Sequence, residues 1–68
     1  MESLGELLPL EMTRVRDEVL PQYVAIGPPG MMAATMMRME LDAAQKAMME
    51  GDTVAMLRLY ESLKGYTL

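Results

Sequence analysis

The dipeptide Gly51-Asp52 constrains this chain more than any other feature. It stands between two stretches of helical apolar spacing. A glycine there closes one helix in a left-handed turn. An aspartate opens the next by accepting a hydrogen bond from its first turn. With only these two residues between them, the helices must fold back as a tight hairpin. No segment shows the strict alternation of a strand. The expected class is all-α: a three-helix chain with a C-terminal helical hairpin, forming one domain over residues 1–68.

Two further breaks set the helix limits. Gly27-Pro28-Pro29-Gly30 separates the first helix from the second, and Gly65 follows the third. The first helix is expected from Pro9, which suits a first helical turn, to Ile26. Met12, Val15, Val19, Tyr23 and Ile26 form its apolar stripe. Pro21 falls opposite that stripe and leaves the Asp17 carbonyl without its helical donor, so a kink is expected there. The second helix is expected over 30–50 and the third over 52–64, with Gly65 as its cap.

The second helix carries more apolar surface than one buried face requires. Ala34, Met37, Leu41, Ala44 and Met48 alternate spacings of three and four, the pattern of a helix-packing seam. Met32, Met36, Met39, Ala43 and Ala47 form a second stripe about 140° away, and together the two cover roughly 200° of the wheel. A helix with one buried face needs little over 100°. The chain has 68 residues and no cysteine, so it can call on neither a large core nor disulfides. Either the second helix is simply the central helix of a well-packed three-helix monomer, or its surplus apolar surface meets a second copy of the chain, and the second reading is preferred. A two-fold homodimer is expected, with Ala34, Met37, Leu41, Ala44 and Met48 as its interface. Glu40 lies between the stripes and calls for a partner, with Arg14, Arg16 and Arg58 as candidates.

Composition narrows function. Ten acidic against six basic residues give a net charge of −4, the wrong sign for duplex nucleic acid or an anionic membrane surface. Without cysteine or histidine there is no thiolate nucleophile, no imidazole base and no zinc site of the usual ligands. No carboxylates are spaced for acid/base work, and no Asp-rich loop offers a calcium site. The expectation is a protein that is not an enzyme and takes no cofactor and no metal. The uncharged run Val19–Met37 is broken by prolines and glycines, so it does not read as a membrane span. A soluble, cytoplasmic protein is expected.

Two surfaces are candidates for binding. Ten methionines offer adaptable contact area. Met31, Met32, Met36 and Met39, with Tyr23 and Arg58, form the candidate partner surface. The start of the second helix, at Gly30, Met31 and Met32, is a candidate anion site, because helix N-termini present free N–H groups. It matches no phosphate-loop or dinucleotide pattern.

Val19-Leu20-Pro21-Gln22-Tyr23, Ile26-Gly27-Pro28-Pro29-Gly30, Glu50-Gly51-Asp52-Thr53-Val54-Ala55-Met56-Leu57-Arg58 and Leu63-Lys64-Gly65-Tyr66 resemble segments of small helical accessory proteins of bacteriophages and prophages. In length and helical character the chain is similar to phage anti-activators of quorum sensing. The resemblance implies an inhibitor that binds a host regulatory protein in the host cytoplasm. The functional expectation is a homodimeric, non-enzymatic modulator of another protein. The alternatives are an oligomeric binder of small nucleotide signals and a structural subunit of an assembly.

Overall fold

A computed structural model describes residues 2–67, and every regular element among them is helical. Helix α1 (Leu4–Arg14) runs through a π-helical turn (Val15–Val19) into α2 (Leu20–Ile26). A single 3-10 turn (Pro28–Gly30) leads to α3 (Met31–Glu50), and α4 (Thr53–Lys64) returns along it. In effect there are three helices, the first of them interrupted by a π turn.

The first helix begins at Leu4, not at Pro9. Ser3 is extended, and its carbonyl accepts from the N–H groups of Glu6 and Leu7 at 3.0 and 2.9 Å. Ser3 and Glu6 have the spacing of a capping box, and the serine hydroxyl donates to the glutamate at 3.4 Å. Pro9 therefore stands inside the helix and removes the bond that the Gly5 carbonyl would accept. Gly5 is exposed, so water can take that place.

Pro21 does not stop the helix either. The turn before it widens, and the Leu20 N–H reaches back to the Val15 carbonyl. Such a π turn absorbs an extra residue and sets α2 back by roughly one residue's rotation, about 100°. The expected stripe is therefore interrupted. Val15 and Val19 are buried and Tyr23 is half-buried, but Ile26 is 58% exposed.

At the Gly51-Asp52 junction, Gly51 is left-handed at φ 68°. The Asp52 N–H donates to the Ala47 carbonyl at 2.9 Å and the Gly51 N–H to Met48 at 3.3 Å, a Schellman closure. The Asp52 carboxylate accepts from the Ala55 N–H at 3.1 Å and so caps α4. One residue thus serves both helices. Gly65 is right-handed, and α4 ends in short-range bonds from Gly65 to Ser62 and from Tyr66 to Leu63.

Leu8, Val15 and Val19 from the first helix meet Met37 and Ala44 of α3 and Leu63 of α4 in one buried cluster. Arg14 ties α1 to the end of α4. Its Nη2 donates to the Leu63 carbonyl at 3.0 Å, where a cation also complements the helix dipole. Its Nε holds Glu11 at 2.8 Å.

Candidate interaction surface

The two apolar stripes of α3 have different fates. Ala34, Met37 and Ala44 are fully buried within the single chain, and Leu41 and Met48 pack half-buried against the same cluster. The seam assigned to self-association is therefore consumed in folding, because α1, α2 and α4 cover it. Alternating spacings of three and four suit any neighbouring helix, from the same chain or another.

The second stripe stays in solvent except at Ala47, which α4 buries. Met32, Met36 and Met39 are 78, 51 and 66% exposed, and Ala43 is exposed beside them. Along the stripe toward the hairpin, the methionines give way to small residues. There Ala43, Ala47, Ala55 and Leu59 line an open groove of about 330 Å³ between α3 and α4, and Lys46, Glu50, Asp52 and Arg58 complete its walls. One end of this face is raised by long thioethers and the other is hollow. Met31 is exposed too, on a different side of α3.

Tyr23 and Arg58 do not join the methionine stripe as a single patch. Tyr23 is half-buried, and its hydroxyl donates to the Thr67 carbonyl at 3.0 Å. Arg58 is an exposed wall of the groove. At the anion site expected at the start of α3, the chain itself engages Gly30 and Met31. The Gly30 N–H donates to the Gly27 carbonyl at 2.9 Å and the Met31 N–H to Pro28. The 3-10 turn thus takes up two of the donors that an anion would need.

The partner of Glu40 is Tyr66, whose hydroxyl donates to its carboxylate, and not an arginine. Burial, then the hydrogen bond to Glu40 and its charge, push the Tyr66 phenol up to about 12. On the surface, Arg16 binds Asp17 and holds that carboxyl below its usual range.

No family model, curated protein or solved structure matches this chain. Among the described residues no helix is long and apolar enough to cross a membrane. No group of three or more acidic side chains there is placed to hold a metal ion.

Leu8, Tyr66 and the groove escape a reading of helical spacing alone. Ser3 and Glu6 were the available signal for Leu8, since a helix starting there brings it into the first stripe. The alanines at 43, 47 and 55 were the signal for the groove. Nothing local in the sequence ties Tyr66 to Glu40.

Proposed function

We propose that this chain is a non-enzymatic binding protein that modulates another protein and works as a homodimer. One observation carries the reading. Among the described residues five large apolar side chains are fully buried, while ten others stay exposed. A domain this small needs its apolar residues for stability, yet Met32, Met36 and Met39 leave a continuous apolar stripe along α3 in solvent, and a contiguous exposed patch supports an interaction surface. Methionine dominates it, and flexible thioethers repack around differing partner shapes.

The target that such a surface suits is the apolar face of an amphipathic segment. The resemblance to phage anti-activators points to a host regulatory protein as its source. A nucleotide signal fits less well, because the donors at the start of α3 are engaged and the cations of the groove face two carboxylates.

The test is capture by immobilised chain, comparing the wild type with Met49→Asp and Leu57→Asp, both at exposed positions. The expected result is a stoichiometric protein partner held by the wild type and lost by at least one variant of unchanged helicity. Capture that ignores both substitutions, or no stoichiometric partner, would overturn the reading.

A further inference from the structure

We propose that residues 65–67 form a strap that opens and closes over the helical body as a unit of its own, with the Tyr66 hydroxyl on the Glu40 carboxylate as its lock.

Three helices reach out to hold the chain where α4 ends. Arg14 of α1 donates to the Leu63 carbonyl at 3.0 Å. Tyr23 of α2 donates through its hydroxyl to the Thr67 carbonyl at 3.0 Å. Glu40 of α3 accepts from the Tyr66 hydroxyl. Sequence separations of 49, 44 and 26 residues make all three tertiary bonds. The Tyr66 side chain also packs half-buried against the core cluster.

The first of these bonds differs from the other two in what it holds. Leu63 is fully buried, so Arg14 ties down a residue of the core. Gly65 and Thr67 are exposed. Past the turn bonds from Gly65 to Ser62 and from Tyr66 to Leu63, the segment has no regular structure. Among the described residues, its remaining hold on the fold is one ring and two side-chain hydrogen bonds. A segment held by so few groups opens at lower free energy than a packed helix.

The lock is the stronger of those two bonds. A hydroxyl donating to a carboxylate makes a charge-assisted bond, about twice as strong as the neutral one between Tyr23 and Thr67. Burial, then that bond and the charge of Glu40, keep the proton on the phenol up to about 12, so the donor persists through neutral pH.

Opening has a consequence at the surface. Glu40 follows Met39 and lies one turn from Met36, so it borders the exposed methionine stripe. With the strap closed, its carboxylate is taken up by Tyr66. With the strap open, that carboxylate is available to a cation, and the cluster loses the ring packed against it. The strap thereby sets the charge on offer at the edge of the stripe.

Native-state amide exchange, followed residue by residue in low denaturant, is the test. The amide at position 66 donates to the Leu63 carbonyl at 3.1 Å. It should be less protected than the Ala44 amide within α3 and should scarcely respond to denaturant, because opening the strap exposes little surface. Exchange at Ala44 should accelerate steeply. Tyr66→Phe and Glu40→Ala should each speed exchange at position 66 about tenfold, as loss of a hydrogen bond to a charged group does. The double variant should be no faster than either single one, since both remove the same bond. If Glu40→Ala fails to fold, Tyr66→Phe, which keeps the ring, decides alone. Equal protection and equal denaturant response at positions 66 and 44 of the wild type would mean that the segment leaves only with the whole fold. An unchanged rate in Tyr66→Phe, or effects that multiply in the double variant, would mean that Glu40 and Tyr66 are not the lock. Either result overturns the proposal.

Discussion

Single atoms decide two features of this fold. A Cβ added at Gly30 would run into the backbone carbonyl of Tyr23, which no side-chain rotation can relieve. Gly30→Ala is therefore expected to destabilise the protein by at least about 2 kcal/mol, as overpacking against a fixed backbone does. Chemical denaturation with an unchanged midpoint would contradict it. Tyr66 gives a pH signature. Its phenol titrates at about 12 in the fold, above its ordinary 10.0, so the folded state favours the protonated form. That contribution is complete below pH 10 and is lost as the pH rises from there through 12. Tyr66→Phe removes the titrating group, and the alkaline fall in thermal midpoint between those limits should become shallower. Equal slopes for the two proteins would show that the Tyr66 phenol gains nothing on folding.

Helices and their junctions differ in how openly the sequence declares them. Gly51-Asp52 is declared in full, because both caps are made by the two residues themselves and depend on nothing distant. Removing the carboxylate in Asp52→Ala should cost about 1 kcal/mol, a drop of roughly 4–8 °C in the melting midpoint for a domain of this size. Pro21 is declared only in part. Its missing N–H foretells a disturbed turn, but the disturbance takes the form of a π turn because the packing of Val15 and Val19 holds both flanks. Ile26 turns outward for the same reason, and no local rule reports that rotation. Pro21→Ala is expected to raise the midpoint modestly. It returns a donor at an exposed site and removes a helix breaker, while the core retains the widened turn. A lower midpoint would mean that the proline's restriction of the unfolded chain outweighs both gains. The two stripes of α3 were both visible as apolar. Which of them turned inward was not, because spacing records that a face is buried and never by whom.

The whole molecule is slender, 36 × 22 × 15 Å with a radius of gyration of 12.0 Å, against about 11 Å for a compact domain of this length. A body this thin encloses a single small cluster, so that cluster has no redundancy. Leu41 packs against it, and Leu41→Asp is expected to unfold the chain, since it places a charge beside a core that has no partner for it. Far-ultraviolet circular dichroism distinguishes this from a loss of association alone. Retained helicity in that variant would mean that the seam tolerates water.

The unequal covering of the methionines also gives the chain an internal order of chemical ageing. Peroxide turns an accessible thioether into a polar sulfoxide. Met49 and Met32 stand almost free of the surface, while Met37 is sealed beneath it. Mild oxidation should therefore mark the outer face first and make it hydrophilic while the interior is still intact. A molecule so treated would keep its shape and lose its grip. Protection of an exposed methionine that grows with protein concentration would record by mass alone the moment at which one copy covers another.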